Sequence, residues 1–342
     1  MDIIRDAAID PSPLQGERVA IIGYGNQGRA QALNLADSGI DVVVGLREGS
    51  ETFAKVEADG LTTLPLGEAP KGAALTMMLV PDELMTGIYA TIEPSLPNGS
   101  ALGFSHGLAV HFGHVVPRED LDVLLLAPKG PGTALRQLYT EDKGMPGLWA
   151  VHRDASGHAK PIALAYGKAI GCARAGLIAS SFEEEAVADL FNEQAVVWGG
   201  VPALLLAGYE ALVEAGYSEE VAYFECIGEL KLLADLIEAR GIAGMREVIS
   251  NTAELGAVLG GPAIADYHVR QRMQDILKSV RGGEFAAQLA EEAAEGYPLL
   301  SDARARSRAH ASEAVRDRLQ TLSADESEED SIERSPTDAR SR

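Results

Sequence analysis

The sequence has little of several features on which whole protein classes depend. Two cysteines among 342 residues cannot form a disulfide framework, and aromatic side chains, at 5%, are too few to stack along single-stranded nucleic acid. Basic residues number 29 against 51 acidic ones, and the resulting net charge of −22 repels phosphate backbones and anionic lipids. We therefore expect no nucleic-acid partner, and the cysteine usage favours a cytoplasmic location.

Long apolar runs are also missing. No uninterrupted run reaches the roughly 18 residues that a membrane-spanning helix needs, and the first residues lack the basic and apolar regions of a signal peptide. We therefore expect no membrane association. The composition, 46% hydrophobic and 23% charged, is that of a globular protein, and the length suggests two domains.

Short β-branched runs alternate with helical patterns over residues 1–181. This alternation predicts an α/β fold with a Rossmann-like, doubly wound parallel sheet. Residues 182–322 show helical patterns alone and predict an all-helical C-terminal domain, while the acidic, polar residues 323–342 predict a disordered tail. The predicted strands are Arg18–Ile22, Asp41–Leu46, Ala74–Val80, Ala101–Ser105, Asp122–Ala127, Gly147–His152 and Ala175–Ala179.

A glycine-rich motif follows the first of these strands and opens a predicted helix. Gly23, Gly25 and Gly28 stand in the order Gly-Tyr-Gly-Asn-Gln-Gly. In a dinucleotide-binding turn, the first glycine permits the turn, the second lets the backbone approach a pyrophosphate, and the third lets helix and strand pack closely. The alternative is a glycine-rich turn without a ligand.

The end of the next strand indicates which dinucleotide binds. An NAD site would place an acidic residue there, but the sequence has Arg47, followed by Ser50 and Thr52. A guanidinium and two hydroxyls can bind a ribose 2′-phosphate, which favours NADPH. Glu48 and Glu51 lie in the same loop and could face the same phosphate, which opposes this interpretation. The alternative is a solvated loop without a ligand.

Two polar residues follow later strands, at the sheet edge where ligands bind in open α/β folds. His106 ends the Ala101–Ser105 strand and can carry protons near neutral pH, whereas Lys129 follows Asp122–Ala127 and can hold an anionic substrate. A hydrogen-bonded turn residue is the alternative interpretation of His106.

Two pairs of acidic residues occur at helical spacing on otherwise apolar stripes. Asp189 and Glu193 are four residues apart, as are Glu225 and Glu229, and each pair extends a stripe that should face a core. Such carboxylates are costly to bury unless cations compensate them, and hard oxygen ligands select Mg²⁺ or Mn²⁺. Two solvated helix faces are the alternative.

Taken together, these motifs resemble ketol-acid reductoisomerase in its short, class I form. The resemblance spans about residues 1–320. It rests on GYGNQGRAQALNLADSG, VGLREGS, PDE, SHG, APKGPG, DLFNEQ, LVEAGY, FECIGELK and GIAGMREVISNTAELG.

The resemblance implies NADPH on a Rossmann domain, two Mg²⁺ ions in a knotted helical domain, and a homodimer or larger assembly with shared active sites. It implies alkyl migration in 2-acetolactate or 2-aceto-2-hydroxybutyrate, followed by reduction to a 2,3-dihydroxy acid. Glu225 and Glu229 would come from the partner subunit, and Glu229 would also transfer a proton. The residues that match the family's motifs are Gly23, Tyr24, Gly25, Asn26, Gln27, Gly28, Arg47, Ser50, Thr52 and Asp82 for the cofactor; His106, Lys129 and Glu229 for catalysis; Asp189, Glu193, Glu225 and Glu229 for metal; and Ser250 for substrate.

Five positions depart from the family's usual pattern without removing a metal ligand. They are Leu108, Ala109, Trp198, Gly228 and Leu255. Since three of them lie beside the metal motifs, a paralogue acting on a related keto or hydroxy acid is one alternative. A metal-independent hydroxyacid or imine reductase and a catalytically silent nucleotide sensor are two others.

Overall fold

A computed structural model describes residues 3–321 and divides the chain into two compact units. The sheet unit comprises the residues up to Leu190 together with Gly283–Ala290, and the helical unit comprises Phe191–Gly282 and the residues from Glu291 onward. The domain boundaries inferred from the sequence, at residues 181 and 322, stay predictions. The predicted tail, residues 323–342, lies outside the described residues.

The sheet unit contains a nine-stranded sheet in the order β1-β9-β8-β7-β6-β5-β2-β3-β4. The six strands β2 to β7 pair in parallel, as expected for a doubly wound fold, whereas β8 is antiparallel to β7 and β1 is antiparallel to β9. The strands are β1 Ile3–Ile4, β2 Arg18–Ile22, β3 Asp41–Leu46, β4 Thr62–Pro65, β5 Leu75–Met78, β6 Ala101–Phe104, β7 Asp122–Pro128, β8 Gly147–Arg153 and β9 Leu177–Ala179.

Helices cover both faces of this sheet, and consecutive side chains of one strand enter different cores. Ile21 packs in one apolar cluster and Ile22 in another, because side chains alternate along a strand. All seven residues of β7 are buried, which is why its sequence is an almost continuous apolar run. The helices up to residue 195 are α1 Asn26–Asp37, α2 Thr52–Ala58, α3 Met85–Ile92, α4 Leu108–His111, α5 Gly132–Thr140, α6 Ala159–Ala169, α7 Cys172–Ala175 and α8 Phe182–Ala195.

The helical unit consists of helices linked by short turns. The Ser218 hydroxyl accepts a hydrogen bond from the Val221 backbone N–H and caps the helix that follows. A π-helical turn at Phe224–Gly228 separates this helix from the next one. The further helices are α9 Gly200–Glu214, α10 Glu219–Tyr223, α11 Leu230–Arg246, α12 Asn251–Ile264, α13 Tyr267–Arg281, α14 Glu284–Ala294 (which begins in the sheet unit) and α15 Pro298–Ala309, and residues 311–321 are also helical.

Apolar side chains of the helical unit remain exposed in the single chain. Trp198, Leu232, Leu255, Leu259 and Tyr267 are each more than 60% exposed. By length and mean hydropathy alone, one stretch, Phe182–Glu214, is apolar enough to cross a membrane; it comprises α8 and α9, which residues 196–199 separate as a turn. The helical unit therefore buries only part of its apolar surface by itself.

Candidate active site

The glycine-rich turn has the geometry that its sequence predicts. Gly23 has a φ of +96°, and a side chain there would collide with the Leu79 carbonyl, while a side chain at Gly28 would collide with the Gly23 carbonyl. Gly25, in contrast, has no atom within 4 Å of the place where a Cβ would lie. The backbone before α1 is therefore open to a phosphate group, and the helix N-terminus faces it.

The residues expected to bind a 2′-phosphate form one turn after β3. The Ser50 backbone N–H donates to the Arg47 carbonyl, and the Thr52 N–H donates to the Ser50 hydroxyl at 3.3 Å. Arg47 is exposed and forms no salt bridge within residues 3–321. Arg47, Ser50 and Thr52 are thus held in one turn at the strand end where the sequence places them.

His106 lies at the end of β6 against a carboxylate from α8. Its Nδ1 is 3.0 Å from Glu185 Oε2, and the same oxygen accepts the Gly107 backbone N–H at 2.6 Å. A side chain at Gly107 would collide with the Phe182 carbonyl, so the glycine lets α8 begin directly beside this turn. Glu185 is 2% exposed and therefore fixes the position of the imidazole.

Lys129 lies on the other side of the same carboxylates. Its Nζ donates to Asp189 Oδ1 at 2.7 Å and is 3.8 Å from Glu185 Oε1. His106 Nδ1 is 3.9 Å from Asp189 Oδ2. The structure therefore brings together His106, Lys129 and Asp189, as predicted from sequence, and adds Glu185.

The cluster controls the protonation of His106. Burial of the ring lowers its pKa, but the hydrogen bond to Glu185 and the charges of Glu185, Asp82 and Asp189 outweigh burial and raise the pKa to about 9. Asp82 lies in the turn after β5, and burial raises the pKa of its carboxyl group. Among the described residues its Oδ1 has no hydrogen-bond partner. The sequence assigns Asp82 to the cofactor, and the structure places its charge near His106 as well.

The donor set of this cluster fits a divalent cation. Ligand atoms of His106, Glu185 and Asp189 lie within 4.8 Å of one another. Glu185 is already held by the imidazole and by a backbone N–H, whereas Asp189 is 27% exposed and contacts the Lys129 ammonium. A carboxylate in that position can exchange an ammonium for Mg²⁺, which prefers oxygen ligands. Glu193 lies one turn further along α8 and is exposed.

The second acidic pair lies in the helical unit. Glu225 and Glu229 are exposed in the single chain, although their stripe is expected to face a core. Their helix is also not regular, because the Glu229 N–H donates to the Phe224 carbonyl five residues earlier. Such π-helical turns occur frequently at functional sites.

The two glutamates border a cavity of about 340 Å³ within the helical unit. Its other lining residues are mostly aliphatic and include Leu232, Leu236 and one cation, Arg246. Ser250, the predicted substrate ligand, caps α12, since its hydroxyl accepts the Ala253 N–H at 3.2 Å. A cavity with aliphatic walls and two carboxylates suits a small ligand with alkyl groups and metal-binding oxygens.

The positions that depart from the family pattern lie in different environments. Leu108 and Ala109 are buried in α4, directly after the His106 turn, whereas Trp198 and Leu255 are more than 60% exposed in the helical unit. Gly228 ends the π-helical turn between the two glutamates.

Glu185 is the site residue that the sequence interpretation missed. It belongs to a run of three glutamates, Glu183 to Glu185, at the start of α8, which is typical of a solvated first turn. Its spacing of four residues from Asp189 is the signal that could have identified it, because it repeats the spacing of the two acidic pairs.

Comparison with known proteins covers nearly the whole chain. The family model of the acetohydroxy acid isomeroreductase NADPH-binding domain matches residues 13–176, and that of the ketol-acid reductoisomerase C-terminal domain matches residues 182–324. A ketol-acid reductoisomerase (NADP(+)) from Kineococcus radiotolerans is 48% identical over 324 residues, which is 94% of this chain and 95% of that protein.

Solved structures show the same similarity. The structure of an NADH-preferring ketol-acid reductoisomerase from an uncultured archean has a TM-score of 0.91 and 43% identity, with 94% of this chain and 99% of that one covered. A Plasmodium falciparum pyrroline carboxylate reductase with bound NADP has a TM-score of 0.51 at 13% identity, covering 79% of this chain and 98% of that one, so it shares the fold alone.

Proposed function

Because the chain belongs to the ketol-acid reductoisomerase family, we propose that it isomerises a 2-aceto-2-hydroxy acid by alkyl migration and reduces the product with NADPH to a 2,3-dihydroxy acid. The substrates would be 2-acetolactate and 2-aceto-2-hydroxybutyrate, in branched-chain amino-acid biosynthesis. The observation that carries this proposal is the cluster of His106, Lys129, Glu185 and Asp189 at the sheet edge beside the glycine-rich turn. Two free cysteines among the described residues agree with a cytoplasmic enzyme.

Each residue of the cluster has a chemical task in this proposal. Asp189, with Glu193, would hold Mg²⁺ together with Glu225 and Glu229, and Ser250 would bind the substrate carboxylate. When bound, Mg²⁺ polarises hydroxyl and carbonyl oxygens of a chelating substrate. Lys129 would neutralise an anionic oxygen of the substrate, since its ammonium already binds a carboxylate at 2.7 Å.

His106 and Glu229 would transfer protons to and from the substrate. Glu185 holds the His106 imidazole by Nδ1, so the ring's other nitrogen is the one that can exchange a proton with the substrate. Glu229 has an exposed carboxylate at the border of the aliphatic cavity and would carry the proton of the substrate hydroxyl.

A homodimer with shared sites would complete the metal centre. Glu225 and Glu229 stand on an exposed apolar face with Leu232, in a unit that buries little of its own apolar surface. Contiguous exposed apolar surface of this kind marks an interface between proteins. A second copy of the chain would cover the face and bring the two glutamates to the partner's Asp189.

The decisive experiment measures NADPH oxidation with 2-acetolactate in the presence of Mg²⁺ and in EDTA. We expect oxidation with Mg²⁺ and none in EDTA, with the 2,3-dihydroxy acid as the product. Oxidation that persists in EDTA would support a metal-independent reductase, and NADPH binding without turnover would support a nucleotide sensor. Turnover confined to another 2-aceto-2-hydroxy acid would support a specialised paralogue.

The choice of cofactor is tested separately, because one relative is named for NADP(+) and another as NADH-preferring. Arg47, Ser50 and Thr52 form one turn, which supports NADPH. We expect an Arg47→Ala variant to raise KM for NADPH and to leave KM for NADH nearly unchanged. Equal changes for both cofactors would show that Arg47 does not bind the 2′-phosphate.

A further inference from the structure

A partly buried network of side-chain hydrogen bonds begins at the first turn of α1, next to the cofactor turn. Gln27, in the first turn of α1, donates its Nε2 to the Gly130 carbonyl at 2.8 Å. Gln31 donates its Nε2 to Gln27 Oε1 at 3.0 Å and to the Ser105 hydroxyl at 3.1 Å. The Tyr166 hydroxyl in turn donates to Gln31 Oε1 at 2.6 Å.

The donors and acceptors in this network fix the orientation of each side-chain amide. The Gly130 carbonyl can only accept, so Gln27 must turn its NH₂ toward it and its oxygen toward Gln31. Gln31 must then turn its own NH₂ toward Gln27, which leaves its oxygen for the Tyr166 hydroxyl to donate to. Burial raises the pKa of Tyr166 well above its usual value, so the phenol keeps its proton.

Two contacts of this hydrogen-bonded network lie in the segments that carry the catalytic candidates. Ser105 immediately precedes His106, and Gly130 immediately follows Lys129. The contact with the Gly130 segment is reinforced, since the Thr133 backbone N–H donates to Asn26 Oδ1 at 2.9 Å and Gly132 packs against the Asn26 carbonyl too closely for a side chain. The Gln31 amide therefore contacts the His106 segment directly, at Ser105, and is connected to the Lys129 segment through Gln27.

We infer that Gln31, held by Tyr166, is a positioning residue that sets the distance between the cofactor turn and the His106 and Lys129 side chains. Gln31 and Tyr166 are both fully buried, and their side-chain hydrogen bonds go to Gln27, to Ser105 and to each other. They act through Gln27, Ser105 and Gly130. This inference rests on the proposed function, because it concerns the alignment of that reaction's groups.

The test compares Gln31→Leu with a matched control on the same helix. Asn34 is also a fully buried amide of α1, but its Nδ2 donates to the Ile170 carbonyl and its Oδ1 accepts from Arg136, away from His106 and Lys129. Asn34→Leu should therefore lose a comparable amount of thermal stability. Gln31→Leu should lower kcat by about 10- to 100-fold with little change in the NADPH dissociation constant or KM, because misplaced groups weaken the transition state more than binding.

Tyr166→Phe is the second variant, because it keeps the shape of the core and removes one donor. It should lower kcat in the same direction by a smaller factor, and it keeps the test available if Gln31→Leu does not fold. If Gln31→Leu or, failing that, Tyr166→Phe retains the wild-type kcat, or if Asn34→Leu loses as much kcat, the inference is wrong.

Backbone hydrogen exchange in the cofactor-free protein separates this inference from the proposed function. Gln31→Leu should speed exchange at residues 105–107 and at Lys129 and Gly130, and Asn34→Leu should not. This readout needs no substrate, so a wild-type protein that fails to turn over 2-acetolactate would overturn the function and leave the positioning claim to be judged by exchange. Unchanged exchange at both segments would overturn the positioning claim.

Discussion

The sheet unit and the helical unit differ in how far they bury their apolar side chains and their site carboxylates. Of the 23 large apolar side chains that are exposed among residues 3–321, twenty belong to the helical unit, and the other three are Ile3, Leu84 and Val116. The site carboxylates of the two units differ in burial as well. Glu185 of the sheet unit is buried and hydrogen-bonded, whereas Glu225 and Glu229 of the helical unit are exposed. The sheet unit therefore pairs its own site carboxylates, whereas the helical unit leaves its carboxylates and many apolar side chains exposed.

The largest effect is expected at Asp189, which the sheet unit holds against the Lys129 ammonium. Asp189→Asn should lower Mg²⁺-dependent activity by about a thousandfold, because a metal ligand supports several kcal/mol of transition-state stabilisation. NADPH binding should stay unchanged. Steady-state kinetics and cofactor fluorescence measure both quantities, with Glu183→Gln on the same helix as the control; a variant with more than a tenth of wild-type activity would refute the assignment.

A smaller effect is expected on assembly when a charge is placed on the exposed apolar face. Leu232→Glu would bury an unpaired carboxylate in the dimer, at a cost of about 3–5 kcal/mol, so the dissociation constant should rise at least about a hundredfold. Sedimentation equilibrium measures this. Val116→Glu, on an exposed apolar residue of the sheet unit, is the matched control and should leave the assembly intact. Equal dissociation constants for the two variants would show that the units do not differ in their role in assembly.

The smallest effect concerns an ion pair internal to the sheet unit. Arg29 binds Asp59 with two hydrogen bonds of 2.7 Å, and the Arg29 hydrogen bond lowers the pKa of Asp59 to about 2. Since the folded-state pKa lies below the unfolded value of about 3.9, the pair stabilises the protein above that pH and loses its contribution as pH falls toward 2.

Asp59→Asn should therefore lower the free energy of unfolding by about 1 kcal/mol near pH 7, allowing for solvent screening of Arg29, and by progressively less below pH 4. Urea unfolding between pH 3 and pH 7 measures the difference. This difference in the free energy of unfolding should not depend on protein concentration, because Arg29 and Asp59 lie within one unit. Asp41→Asn, in the exposed pair with Arg18, serves as the control. A difference that stays constant with pH would show that the ion pair is not its source.

The strongly patterned parts of the sheet unit could be predicted from sequence. Strands Arg18–Ile22 and Asp41–Leu46 have the predicted bounds, since buried parallel strands produce apolar runs bounded by turns. Strand Thr62–Pro65 was missed because it is short and half-buried. The reversed direction of β8 was also missed, because strand direction depends on the path of the connecting chain rather than on side-chain pattern.

The helical unit and the site were less predictable for a different reason. Apolar periodicity shows that Leu232 and Leu236 share a face with Glu225 and Glu229, but it does not show whether that face meets the same chain or another. The π-helical turn at Phe224–Gly228 changes hydrogen bonding without changing residue type. Gln31 looked like an ordinary helix residue, since its role comes from Ser105, Gln27 and Tyr166, which are distant in sequence or lie on other turns.

The central claim is that one metal site takes Asp189 and Glu193 from one chain and Glu225 and Glu229 from another. Co-expression of Asp189→Asn and Glu229→Gln chains with two different affinity tags allows the mixed dimer to be purified. Each homodimer should be inactive, whereas the mixed dimer should recover about half of wild-type activity, because one of its two symmetry-related sites is intact. A mixed dimer as inactive as its parents would contradict the claim, since it would place all four carboxylates in one chain.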